Sequence, residues 1–247
     1  MAQRRLTDLY VTGKEITIED SIGEIVVWMQ KLNPVQREQA FAKSNSARAK
    51  VLTVKGLADD DPDKAQYIVQ ANAFSQDKDT VIDMLAAEEV TRAEQACEAE
   101  VSEQEEWTKD EYLTGLQDSW EDGIKDRFLD KDDKEAQRVF LELKRFADQV
   151  EKATIPHKKS IRKGYAHKTD FELGKELVNK LIDSEGDMAW ITEYRRCQVW
   201  LATREPTDHR KLYFVDRKEV DDLQAEVLIN LIQEYANLEV EPQVGKE

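Results

Sequence analysis

Between Glu15 and Glu19 apolar and polar residues alternate strictly, which places Ile16 and Ile18 on one face of an extended strand. Residues 4 to 32 read as β, and a turn over Ser21–Glu24, containing Gly23, leads into a second apolar run, Ile25–Leu32, which completes a hairpin. Leu6–Val11, set off by Gly13-Lys14, is a candidate third strand. In the returning strand Val26, Trp28 and Leu32 share one face while Ile25, Val27 and Met29 share the other. Both faces are apolar and both require cover, from a helix or from a second subunit.

At Asn33-Pro34 the period changes from two to that of a helix. Asn33 is a good acceptor for the free N–H groups of a first turn, Pro34 fits the first helical position, and Gln36 stands at capping-box distance. Ala40, Ala47, Val51 and Val54 make the buried stripe, and Arg37, Lys43, Arg48, Lys50 and Lys55 make the rest of that helix basic up to Gly56. Asp61-Pro62 starts a shorter helix to about Phe74, and Thr80–Gln104 a long one with a narrow apolar stripe. Further helices follow through Tyr112–Ile124 and through Ala136–Val150, the latter stopped by Ile155-Pro156. After the basic stretch PHKKSIRKGYAHK, a helix opens at Thr169 and Glu172 and closes at Gly186. Another runs through Met188, Ile191, Tyr194, Trp200 and Leu201, and a last one, capped by Asp216, carries Val220 to Tyr235.

The expected fold is therefore mainly α (α+β), an N-terminal hairpin or small sheet followed by seven or eight helices in an elongated helical assembly. Its expected divisions are a hairpin and basic-helix module over 1–57, an acidic helical region over 58–155, a basic linker over 156–168 and a C-terminal helical region over 169–247. The 247 residues, 40% apolar and 36% charged with only nine glycines and five prolines, fit long exposed helices around a genuine core.

Charge sharpens this division. Of the formal net charge of −16, residues 59–135 carry 25 acidic and eight basic residues, a net of −17, leaving the rest near neutral. Such a block repels a phosphate backbone and argues against general nucleic-acid binding, while it suits a solvated surface or a basic partner. Cys97 and Cys197 stand a hundred residues apart without CxxC spacing, which fits two lone thiols in a reducing cytosol. No apolar run approaches the roughly 20 residues of a membrane span, and MAQRRLTDLY lacks the apolar core of a signal peptide.

Catalytic patterns are lacking: there is no Gly-rich phosphate loop, no HExxH and no nucleophile elbow. Asp59-Asp60-Asp61 and Asp132-Asp133 resemble cation ligands only by composition, since the second pair precedes a helix. His157, His167 and His209 fall in expected loops without a second ligand at helical spacing. No catalytic, cofactor-binding or metal-ligating residues are assigned, and no cofactor is expected.

One stretch carries more. VWMQKLNPVQREQAFAKSNSARAKVL resembles the tail assembly chaperones of long-tailed, siphovirus-type bacteriophages of actinobacteria, in which a hairpin ending in V-W-x-x-K-L-N-P meets a helix rich in N-x-A-R-A-[KR]. The matching residues are Val27, Trp28, Lys31 to Pro34, Asn45, Ala47, Arg48, Ala49 and Lys50, with a second echo in 200–214 and 228–242. The resemblance covers about a quarter of the chain. It implies a non-enzymatic factor in the host cell cytoplasm that binds the tape measure protein and tail tube subunits during tail morphogenesis, in a family often made in a short and a frameshifted long form. A partner surface is then expected on the Trp28 strand face and the following helix, at Trp28, Met29, Leu32, Phe41, Arg48 and Leu52, with self-association through the same module. The alternative is a virion structural or internal scaffolding protein.

Overall fold

Strands β1 (Gly13–Asp20) and β2 (Gly23–Gln30) pair antiparallel from Gly13 opposite Gln30 to Asp20 opposite Gly23, leaving residues 21–22 between them. The structure is a computed structural model that describes residues 13–20, 23–75, 77–127 and 132–240, so the candidate strand Leu6–Val11 lies outside the described residues. The chain is mainly helical with this N-terminal hairpin, as the periodicity predicts. It divides into two units, one made of Met1–Lys64 with Leu181–Glu247 and the other of Ala65–Lys180.

In the first unit the alternation of β1 and β2 sends Ile16, Ile18, Val27 and Met29 inward, where all four are buried. Full burial of an aliphatic side chain of this size contributes about 1.5–3 kcal/mol, so this face anchors the hairpin. Helix α10 (Ala225–Val240) covers it with Val227, Leu231, Tyr235 and Leu238, spaced for one helical face. Because β2 ends at Gln30, Leu32 leaves the alternation assigned from the sequence and drops into the same core, at 5% exposure. On the outward face Trp28 receives cover from the chain itself: β3 (Thr203–Arg204) pairs antiparallel with the edge of β2, and His209 in the following loop stacks on the indole, ring centroids 4.0 Å apart. A second subunit is thus not required to shield Trp28.

Helix α1 (Pro34–Leu52) begins with the reciprocal capping box expected of Asn33 and Gln36: Asn33 Oδ1 accepts from the Gln36 N–H at 2.9 Å and Gln36 Oε1 from the Asn33 N–H at 3.0 Å. It runs antiparallel along the second half of α8 (Asp170–Ala202), with Gln36 donating to the Leu201 carbonyl, Asn45 accepting from Trp190, Arg48 paired with Asp187 and Lys55 with Asp183. Buried Ala40 and Ser44 are small enough to let the backbones approach. Gly186 serves the same end on α8, since a Cβ there would come within 3.2 Å of a Leu52 methyl. The expectation that Gly186 closes a helix is therefore corrected: glycine is used inside α8 for close helix packing, and the two helices expected over 169–201 are one. Conversely, the single last helix expected from Asp216 is two, α9 (Arg217–Asp221) and α10.

The second unit holds most of α2 (Pro62–Phe74), then α3 (Lys78–Ser102), the short helices α4 (Glu105–Thr108), α5 (Tyr112–Ser119) and α6 (Lys125–Arg127), α7 (Lys134–Ala166) and the start of α8. A wide turn over Trp120–Ile124 bends the chain at Gly123, whose φ of 109° strongly favours glycine. Trp107, Leu116, Ile124, Val139 and Phe146 meet in its core. The basic segment expected to be a linker, 156–168, is helical as far as Ala166, and the helix does not stop at Pro156. His157 accordingly lies within α7 rather than in a loop. An internal proline costs a helix about 3 kcal/mol, and here packing offsets it. Thr154 is buried just before the proline, and beyond it Lys158 pairs with Glu94 at 2.6 Å, Arg162 with Asp83 and Asp79, and Tyr165 donates to Glu89 at 2.7 Å. Much of the acidic middle and the basic stretch that sequence separates thus face each other on α3 and α7.

Candidate interaction surface

Four of the six residues expected at a partner surface lie at or near the surface of the first unit and two do not. Met29 is fully buried and Leu32 nearly so, which commits both to the hairpin core. Trp28 is half-buried under His209, and its indole N–H finds no acceptor among the described residues. Phe41, Arg48 and Leu52 lie along α1 where it meets α8, Phe41 remaining 51% exposed.

Around Phe41 the structure gathers residues that sequence reading did not assign to a site. Trp190 and Tyr194, one helical turn apart on α8, stack on each other with centroids 4.9 Å apart and planes 12° off parallel. Phe41 meets Trp190 edge-on at 5.2 Å and Tyr194 at 6.3 Å. Trp190 Nε1 donates to Asn45 Oδ1 at 2.9 Å, which fixes the indole. Lys43 reaches over the ring of Trp200, 5.3 Å from its centroid. The i, i+4 spacing of Trp190 and Tyr194 was a visible signal, but the partner that makes them a patch, Phe41, is remote in sequence.

A polar network joins α8 to α9. Arg217, whose side chain is only 10% exposed, holds Glu193 at 2.6 Å and Asp221 at 2.9 Å, and Arg196 also pairs with Asp221 at 2.9 Å. Burial by itself would lower the Arg217 pKa, and its contacts with Asp221 and Glu193 more than offset this, so the guanidinium is held charged. Burial, with Glu193 beside it, pushes the Cys197 thiol up to about 11, which leaves it a packed side chain rather than a thiolate nucleophile. Burial and a hydrogen bond to Glu239 raise the Tyr235 phenol well above its ordinary value. Among the described residues no group of three or more His, Cys, Asp or Glu is placed to hold a metal ion. Asp132 and Asp133 lead into α7, where Asp133 Oδ1 accepts from the Ala136 N–H and Oδ2 meets Arg127 at 2.7 Å.

The arrangement is a cluster of three aromatic rings, partly open to water, held between α1 and α8. Compared with known proteins, the chain matches no family model, no curated sequence and no solved structure at a significant level.

Proposed function

We propose that the chain is a non-enzymatic tail assembly chaperone of a long-tailed actinobacteriophage, holding tape measure and tail tube proteins in the host cytoplasm until the tube polymerises. The observation that carries the reading is the join between hairpin and helix. The residues of the V-W-x-x-K-L-N-P resemblance form the end of β2 and the capping box of α1, and the N-x-A-R-A-K residues lie one to two turns beyond the exposed Phe41 patch on the same helix. An amphipathic client helix laid across Phe41, Trp190 and Tyr194 buries aromatic surface that otherwise stands partly in water. Co-expression with the tape measure protein is expected to raise that protein's soluble yield, and Phe41→Asp is expected to abolish the gain while leaving the chaperone folded. An unchanged yield with the wild-type chain overturns the reading. Stoichiometric presence in purified virions, measured by mass spectrometry, replaces it with a virion structural or scaffolding role.

A further inference from the structure

The sheet has the order β1-β2-β3, so β1 forms one of its outer edges among the described residues. Alternate residues of an edge strand direct N–H and C=O groups away from their partner strand, where another strand can take them up. Along this edge runs a groove of about 310 Å³, lined on the strand side by Ile16, Thr17 and Ile18 and on the helix side by Glu226, Asn230, Gln233 and Glu234 of α10. No described residue of β2 lines it, which places it on the side of β1 away from the rest of the sheet. The four α10 residues share one face of that helix, beside the face that packs into the core.

The chemistry of the walls is uneven in a useful way. The strand wall shows the margins of Ile16 and Ile18, 6% and 5% exposed, beside Thr17, and the helix wall carries two amides and two carboxylates. Glu234 is paired with Lys14 at 3.0 Å at one end. Glu226 lies eight residues away on the helix, about 12 Å, which matches the four residues of strand from Lys14 to Ile18 at about 3.3 Å each. A side chain with an aliphatic stem and a cationic head suits such a groove, the stem over Ile16 and Ile18 and the head at Glu226.

We propose that the groove between β1 and α10 takes an extended segment of a partner protein as an added strand, with lysine or arginine at the alternate positions that face α10. Main-chain hydrogen bonds to the β1 edge supply affinity, and the carboxylate and amide rim selects basic side chains. The site is separate from the Phe41 patch and does not rest on the chaperone reading.

The test uses the full chain and a fluorescent, N-acetylated and C-amidated peptide of sequence Thr-Lys-Val-Lys-Val-Lys-Thr, followed by anisotropy. Saturable binding is expected. It is expected to weaken about tenfold, or roughly 1.4 kcal/mol, in the Glu226→Lys variant, and by a similar factor when alternate peptide amides are N-methylated, which removes strand hydrogen bonds without touching the protein. Glu226 is exposed, and circular dichroism of the variant controls for folding. No saturable binding overturns the proposal. Equal binding by Glu226→Lys and wild type reduces it to general attraction by an acidic chain, and loss with Glu226→Lys but not with N-methylation reduces it to a charge contact; either result also overturns it. Binding seen only after removal of residues 1–12 assigns the groove to the chain's own N-terminal segment instead, and a wild-type dimer in sedimentation that the peptide dissociates assigns it to a second copy.

Discussion

Two backbone positions in the second unit make the same demand, a positive φ, and meet it with different residues. Gly123 sits at φ 109°, where a Cβ is strained even though the space around it is open, whereas Glu111 occupies the left-handed region at φ 57° with a side chain present. Gly123→Ala is expected to destabilise the second unit by about 1 kcal/mol, and Glu111→Gly to cost little or to stabilise it, both read from urea denaturation. At Gly13 the constraint is space rather than torsion: a Cβ there would fall 2.5 Å from Trp28 Nε1 and 2.7 Å from the Met29 carbonyl oxygen. Gly13→Ala is therefore expected to displace Trp28 from His209, visible as a change in tryptophan fluorescence. Carboxylates at helix starts bring a pH dependence. Hydrogen bonds from Thr80 and Asp79 hold Asp77 below its ordinary 3.8, those from Ala136 and Arg127 do the same for Asp133, and those from Thr169 hold Glu172 below 4.5. Because the folded values are depressed, their stabilisation is fully present above the ordinary values and is lost as pH falls through the lowered ones. Amide exchange at the starts of α3, α7 and α8, corrected for the intrinsic pH dependence of exchange, is expected to lose protection below about pH 4, and Asp77→Asn to flatten that response for α3.

The elements most legible in the sequence were those whose signals are local. Asn33, Pro34 and Gln36 define the start of α1 within four residues, and Asp61-Pro62 and the alternation of Ile16 and Ile18 are similarly self-contained. What misled were local breakers overruled by distant partners. Pro156 stays inside α7 because that helix packs against α3, more than fifty residues earlier, with Thr154 buried just before the proline and the ion pairs to Glu94, Asp83 and Asp79 adding little. Gly186 stays inside α8 because Leu52 needs the room. The covering of Trp28 by His209 depends on a strand of two residues that no periodicity announces. The candidate surface was half legible for the same reason: Phe41 was visible on its helix, while Trp190 and Tyr194 join it only through the antiparallel course of α1 and α8. If packing rather than propensity holds α7 together, Pro156→Ala should stabilise the second unit by about 1–3 kcal/mol without changing its helical content, as measured by circular dichroism during denaturation.

In the whole molecule the charge segregated along the sequence is partly reunited in space, the acids of α3 meeting the bases near the end of α7. These pairs are substantially exposed, so each contributes little and salt is expected to lower the denaturation midpoint of the second unit only slightly. Connectivity has the larger effect. The first unit takes residues from both ends of the chain, and the second is an insertion within it. The Leu32 N–H donates to the Tyr235 hydroxyl across 203 residues, and Ile16, Ile18, Val27 and Met29 are covered by a helix that begins only at Ala225. On a ribosome adding about 5–20 residues per second, the hairpin therefore emerges roughly 10–40 s before its lid. For that interval the nascent chain presents a bare apolar β-surface, while the second unit, continuous in sequence, can already close. Anything that meets the protein during its synthesis meets the hairpin's whole inner face first, a face that in the finished molecule is closed over Val27 and Met29 and reachable only at the margins of Ile16 and Ile18.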